Sequence, residues 1–171
     1  MIVRAERAED HEAIAAVVEA AFRSPDVARL VESFRASAGY LPELALVADD
    51  DSEVLGHIMF TRAELLDGTS ILMLSPLAVR PDRQRTGIGT ALVREGLRIS
   101  AERAEPLVIV EGDPRYYSRF GFVAASELGL ERPYETIPEA AFQAVRLPAY
   151  VERARGGVVY PPPLAPFYET L

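Results

Sequence analysis

The sequence predicts a single α/β domain spanning residues 1–171, with a mixed, mostly antiparallel sheet and helices on both of its faces. Three observations support this fold class. Turn signals at 49–52 and at Asp67-Gly68 join three consecutive extended segments into hairpins. A glycine-rich loop connects the third segment to a helix, and the apolar run 107–110 that follows is typical of a buried central strand. The order of strands and helices along the chain predicts a mixed sheet with helices on both faces.

The elements of the first half follow from periodicity and turn chemistry. Apolar residues recur at helical spacing after Asp10 and again after Ser24-Pro25, a cap followed by proline in the first turn. Pro76 cannot donate to a ladder, so it marks an edge, a bulge or a splaying of the third hairpin strand. The predicted elements are a strand at Ile2–Ala5, helices from Asp10 and Pro25, and strands at 44–48, 54–61 and Ser70–Val79.

The second half begins with a helix from Ile88 that ends before Pro106. After the buried strand comes a short helix that contains Tyr116 and Tyr117 and is closed by Gly121. Further strands are predicted at 122–123, 142–147 and 158–160.

Composition excludes several kinds of chemistry. The 18 basic residues are all Arg, so Schiff-base lysines and the lysine of Walker-type phosphate loops are excluded. The chain has no Cys and only two His, which leaves little for thiol catalysis, a hydrolase triad or a metal cluster. A net charge of −8 disfavours nucleic acid and anionic membranes as partners. With no signal-like or membrane-spanning run, we expect a cytoplasmic protein without disulfides.

The segment Gln84-Arg85-Thr86-Gly87-Ile88-Gly89 lies between a strand and a helix. Glycines there let a phosphate approach the backbone, and the first amides of the helix point outward with the positive end of its dipole. Arg80, Arg83 and Arg85 give the loop a local basic character. A Rossmann dinucleotide loop is an alternative, supported by Glu111 after the next strand but weakened by Leu92 at the third glycine position.

Two motifs resemble those of the GNAT superfamily of N-acetyltransferases. The segment 84–89 is similar to its Gln/Arg-x-x-Gly-x-Gly/Ala loop, and 117–122 is similar to its Tyr-x-x-x-Gly-Phe signature. They stand in the family's order, separated by one helix and one buried strand. The resemblance implies the GNAT acyl-CoA N-acyltransferase fold, splayed at the cofactor strand, with the motif-dense part at 72–122 and a variable part at 123–171.

The resemblance also implies acetyl-CoA as co-substrate, with no metal. Its pantetheine would pair with Leu77, Ala78 and Val79. Tyr117 falls at the position of the general acid, with Tyr116 about 100° round the helix. The pyrophosphate would bind the loop and helix start, namely Gln84, Arg85, Thr86, Gly87, Ile88, Gly89 and Thr90.

Several points stay open at the level of sequence. The base is Glu111 or a water molecule, and the acceptor is an unidentified amine of a small molecule or peptide. A CoA-binding module without catalysis is an alternative, since the chain lacks the Asn that many members carry after this strand. His57 is interpreted as structural. The aromatic, Pro-rich tail at 158–168 could cover a neighbouring copy, which would make a homodimer.

Overall fold

The structure, a computed structural model, describes residues 1–169. The chain divides into two compact units. The first contains Met1–Phe60 and Ser75–Ile99, and the second contains Thr61–Leu74 and the chain from Ser100 onward. The prediction of one domain over residues 1–171 stays a prediction. No helix in the described part of the chain is long and apolar enough to cross a membrane.

The first unit contains an antiparallel sheet and three helices. Strand β1 pairs antiparallel with β2, with Val3 opposite Ala48, and the strand order is β1-β2-β3-β4. Asp51 and Ser52 adopt positive φ in the first predicted hairpin turn, and Gly68 does so in the second. The elements are β1 Ile2–Ala5, α1 His11–Phe22, α2 Pro25–Arg35, β2 Tyr40–Asp50, β3 Glu53–Leu65, β4 Ser70–Val79 and α3 Ile88–Ser100, with β3 and β4 continuing into the second unit.

Close packing fixes α3 against β3. A Cβ at Gly56 would lie 3.0 Å from the side chains of Ile88 and Leu92. A Cβ at Gly96 would lie 2.2 Å from the ring of Phe60, closer than side-chain atoms can approach. A side chain at Gly96 would force the Phe60 ring to move, and one at Gly56 would require its neighbours to shift by a few tenths of an ångström. The packing at Gly56 holds the first turn of α3, where the glycine-rich loop ends.

The second unit is built around β5 Leu107–Glu111, whose first four residues are fully buried. β5 pairs parallel with β4 and antiparallel with β8, and β8 pairs with β6. β9 pairs antiparallel with β3 and parallel with β7. The other elements are α4 Pro114–Tyr117, β6 Val123–Ala124, β7 Leu130–Glu131, β8 Phe142–Arg146 and β9 Gly156–Val159.

The predicted fold class is confirmed: the sheet is mixed and mostly antiparallel, and every predicted helix is present. Within the described residues, the pairing of β4 with β5 covers Leu72 to Leu74 and stops before Pro76, as expected for a strand that splays there. The predicted strand at 122–123 lies one residue later in the structure. The two-residue strand β7 has no counterpart in the prediction, because so short a segment leaves no periodicity to detect.

Candidate active site

The glycine-rich loop leaves β4 through a short 3-10 turn, Pro81–Arg83, and residues 84–87 are exposed. Two side chains brace this loop. Gln84 donates from Nε2 to the carbonyl oxygen of Val79 at 3.1 Å, and Thr86 donates from Oγ1 to the carbonyl oxygen of Arg83 at 2.5 Å. The loop is thereby tied back to the end of the strand from which it comes.

The start of α3 presents backbone amides without helical partners. Gly87 has a φ of 91°, a conformation that favours glycine. Its carbonyl accepts the amide of Ala91 at 3.0 Å, which makes this the first turn of the helix. The amides of Ile88, Gly89 and Thr90 precede that bond and have no acceptor within the helix. Together with the helix dipole they form a site suited to an anion.

The predicted basic character of this loop is weaker than the count of Arg suggests. Arg80 forms ion pairs with Glu53 and with Asp82, and the hydrogen bonds that it donates to Asp82 are the first cause of its raised pKa. Arg83 lies 3.8 Å from the carboxylate of Asp82. Among the described residues, no ion pair involves Arg85. Attraction for a phosphate therefore depends mainly on the amides and on Arg85.

The segment assigned to pantetheine is the last part of β4. Ala78 is buried, whereas Leu77 and Val79 are half-buried. The parallel pairing with β5 has already stopped at Leu74. The Val79 carbonyl is the acceptor for the Gln84 side chain, so the strand end and the loop form one hydrogen-bonded unit.

Tyr117 is positioned by the turn between β5 and α4. Asp113 caps α4 by accepting the Arg115 amide at 2.9 Å, with Pro114 at the first helical position. The Tyr117 ring lies across Gly112, where a Cβ would be 2.6 Å from Cε2, and its centroid is 5.6 Å from that of Phe122. Gly112 was missed by sequence reasoning, although a glycine directly after a buried strand is a signal of close approach.

The Tyr117 side chain is 8% exposed, and burial raises the pKa of its hydroxyl above the usual value near 10. The phenol therefore keeps its proton throughout the physiological range. No hydrogen bond to this hydroxyl is found within residues 1–169. Tyr116 has a different environment, because its ring contacts other side chains on two sides. Its centroid is 5.0 Å from that of Tyr117, edge-on, and 4.5 Å from Cζ of Arg119. That is the environment of a packing residue.

Glu111 ends β5, and its carboxylate is held by the tail. Tyr160 and Tyr168 donate their hydroxyls to the same oxygen, Oε2, at 3.0 and 2.5 Å. Both tyrosines were missed as site residues, because the sequence showed only an aromatic tail that could cover another copy. In the structure their rings and hydroxyls contact residues of the same chain. The predicted homodimer stays a prediction.

His57 lies in a separate buried cluster of the first unit. Its Nε2 is 2.9 Å from Oε2 of Glu6, which also accepts from the Arg35 guanidinium and from the Tyr40 hydroxyl. Burial lowers the pKa of His57, which favours the neutral ring. The structure thus agrees with a structural role for His57. Among the described residues, no group of His, Asp and Glu side chains is arranged to hold a metal ion.

The chain is similar to known proteins in sequence and in fold. Residues 3–125 match the model of the acetyltransferase (GNAT) domain. The chain is 32% identical over 148 residues to the uncharacterized N-acetyltransferase YhbS of Escherichia coli K12, covering 86% of this chain and 87% of that protein. It is 37% identical over 123 residues to the uncharacterized N-acetyltransferase YjhQ of the same strain, covering 70% and 67%.

Two solved structures are similar to most of this chain. Escherichia coli YhbS in complex with CoA superposes with a TM-score of 0.85 at 31% identity, covering 95% of this chain and 91% of that one. A GNAT family acetyltransferase from Brucella melitensis in complex with acetyl-CoA gives a TM-score of 0.79 at 31% identity, covering 95% and 97%. The chain belongs to the GNAT acetyltransferase family.

Proposed function

We propose that this GNAT acetyltransferase transfers an acetyl group from acetyl-CoA to a primary amine of a small molecule or peptide. The row of amides at the start of α3, which have no helical acceptor, carries the proposal, since these groups suit the pyrophosphate of CoA. The similar proteins that were solved with CoA and with acetyl-CoA support the same donor. The last residues of β4, Leu77 to Val79, pair with pantetheine.

The chemistry is direct attack. The amine nitrogen bonds to the thioester carbonyl carbon, the carbon–sulfur bond breaks, and the thiolate takes a proton from the Tyr117 hydroxyl. Burial raises the pKa of Tyr117, so the hydroxyl carries its proton at neutral pH. The amine loses a proton to Glu111 or to water, and one proton is returned to Tyr117. The chain has no Cys to carry an acyl intermediate.

The first test replaces Tyr117 by Phe, which keeps the ring against Gly112 and removes only the hydroxyl. We expect acetyl-CoA binding to persist while kcat falls by about 10² to 10⁴, the usual contribution of a positioned acid. The assay is thiol release from acetyl-CoA with a panel of primary amines. Tyr116→Phe is the matched control and should have a much smaller effect. Equal, small losses in both variants would remove Tyr117 from the mechanism.

A second test addresses the loop. Gly89→Val places a branched side chain among the first amides of α3 and should weaken CoA binding at least about tenfold, or roughly 1.4 kcal/mol. Arg83→Ala is the control, because Asp82 already offsets the charge of Arg83. Calorimetry on folded variants measures both affinities. Unchanged CoA affinity in Gly89→Val, or a larger loss in Arg83→Ala, would contradict a backbone-amide site.

The contacts of Glu111 support one alternative, a module that binds CoA without catalysis. Two phenol hydroxyls already occupy Oε2, so only Oε1 is left to receive a proton from the amine. Thiol release separates the two functions: the enzyme turns over with at least one amine of the panel, whereas the module binds CoA and releases no thiol with any of them.

A further inference from the structure

Four aromatic side chains surround the end of β5 within the second unit, and we call them the aromatic cluster: Tyr134, Phe142, Tyr160 and Tyr168. The rings of Tyr134 and Tyr168 are stacked, with centroids 4.6 Å apart and planes at 4°. Tyr160 meets both of these rings edge-on, at 6.1 and 5.5 Å, and meets Phe142 at 6.3 Å. Tyr160 is buried, whereas Tyr134 and Tyr168 are half-buried.

Glu111 projects into this cluster. It lies opposite Phe142 in the β5–β8 register, so the two side chains share a face of the sheet. Its Oε2 accepts both tyrosine hydroxyls. Burial, together with the charge of Glu111, raises the pKa of the Tyr160 and Tyr168 hydroxyls. These donors therefore stay neutral and leave the negative charge of Glu111 uncompensated.

Other buried carboxylates of the chain have a cationic partner. Glu6 pairs with Arg35, Asp10 with Arg4 and Glu105 with Arg103. Within residues 1–169, no such ion pair is found for Glu111. The carboxylate of Glu169 also raises the pKa of Tyr134, after the effect of burial, so a second negative charge lies beside the cluster. A half-buried carboxylate without an ion-pair partner attracts a cationic ligand.

We infer that Glu111 and the aromatic cluster bind the alkylammonium group of a cationic ligand. An ammonium is attracted both by the carboxylate and by the faces of tyrosine rings. A guanidinium would favour two free carboxylate oxygens, but Oε2 already accepts two hydroxyls, which leaves Oε1 for a single contact. A hard metal ion would need several more oxygen ligands. The assignment of this ligand as the acetyl acceptor rests on the proposed function.

The test uses choline, a quaternary ammonium that offers no amine to acetylate, and its neutral isostere 3,3-dimethyl-1-butanol. Three of the 7 Tyr lie in the cluster and the chain has no Trp, so a change in tyrosine fluorescence detects binding, and the variants below assign it to the site. We expect saturable binding of choline to the full chain, at least about tenfold tighter than binding of the neutral isostere. Equal affinity for the two probes, or no binding of choline, overturns the inference.

Two pairs of variants locate the site. Glu111→Gln keeps an acceptor for the tyrosine hydroxyls and removes the charge, and it should weaken choline binding at least about tenfold. Glu131→Gln, at an exposed position on β7, should leave choline binding unchanged. Tyr168→Ala should weaken binding, whereas Tyr150→Ala, whose ring lies under Arg146, should not. Undiminished choline binding in Glu111→Gln contradicts the assignment. Should that variant not fold, the comparison of the two probes on the parent chain still decides.

Failure of this inference is distinguishable from failure of the proposed function. Thiol release with an amine, together with no preference for choline over its isostere, would remove the ammonium site and leave the acetyltransferase intact. Charge-selective choline binding without thiol release from any amine would sustain the ammonium site and contradict the catalytic proposal.

Discussion

Glu6 and Glu111 are both carboxylates that accept tyrosine hydroxyls, yet their surroundings differ in charge. Glu6 accepts from Arg35 at 2.7 and 3.0 Å, from Tyr40 at 3.0 Å and from His57 at 2.9 Å, and its side chain is 1% exposed. Glu111 is half-buried and accepts only the two hydroxyls of the tail among the described residues. The negative charge of Glu6 is thus compensated by a cation, whereas that of Glu111 has no cationic partner among the described residues.

This difference separates a structural carboxylate from one that is available to a ligand. Burial alone would raise the pKa of Glu6, but the hydrogen bond from His57 and the hydrogen bonds and charge of Arg35 lower it well below the usual value. The Glu6 cluster joins the end of β1 to α2, β2 and β3, so it stabilises the first unit. In the part of the chain that the structure describes, no ion pair involves Glu111, so its charge is free to interact with a ligand.

The largest expected effect is that of Glu6→Gln on stability. This change leaves the Arg35 guanidinium, which is 8% exposed, without its buried partner. Breaking a buried ion pair costs about 3 to 5 kcal/mol of stability. We expect the free energy of unfolding to fall by about 3 kcal/mol, because Arg35 retains its contact with Glu32. Urea unfolding monitored by circular dichroism measures the change.

Glu32→Gln is the control, since it removes the exposed partner of the same Arg35. Surface pairs contribute about 0 to 1 kcal/mol, so this variant should unfold close to the parent. A loss in Glu32→Gln as large as that in Glu6→Gln would mean that burial does not distinguish the two partners.

The next effect is a loss of stability on acidification. Burial lowers the pKa of His57 below its usual 6.5, and its Nδ1 has no hydrogen-bond partner in the described structure. On acidification, His57 therefore binds a proton more readily in the unfolded chain than in the folded chain. The contribution of His57 to the free energy of unfolding is fully present above pH 6.5. It decreases below that pH, by about 1 kcal/mol at pH 5.5. The lowered pKa of Glu6 adds its own loss only below its usual 4.5.

Urea unfolding at pH 7.5 and 5.5 measures this dependence. His57→Gln keeps a donor for Glu6 and removes the titrating ring, so the difference between the two pH values should nearly vanish. His11→Gln is the matched control and should retain the difference, because it changes a partly exposed ring and leaves the buried ring of His57 in place. The same pH dependence in His57→Gln as in the parent would exclude His57 as its source.

The parts of the site that the sequence predicts are those formed by neighbouring residues. The loop at 84–90 and the turn to Tyr117 depend on glycines, caps and a short helix that are contiguous in the chain, and the helices α3 and α4 that follow them form as predicted. The two tail contacts of Glu111 join residues 49 and 57 positions apart, and Glu6 and His57 are 51 apart. Such pairs depend on strand register and on the path of the tail, which single-sequence periodicity does not determine.

The smallest expected effect is that of Glu111→Gln on stability, and it tests the comparison directly. Glutamine keeps a carbonyl oxygen that can accept the hydroxyls of Tyr160 and Tyr168, so both hydrogen bonds can persist. No buried cation loses its partner, and a half-buried charge without compensation is removed. We expect a change within about 1 kcal/mol, neutral or slightly stabilising, measured as the urea midpoint at an unchanged m value. A cost as large as that of Glu6→Gln would show that Glu111 stabilises the fold as Glu6 does, and the contrast between the two carboxylates would then fail.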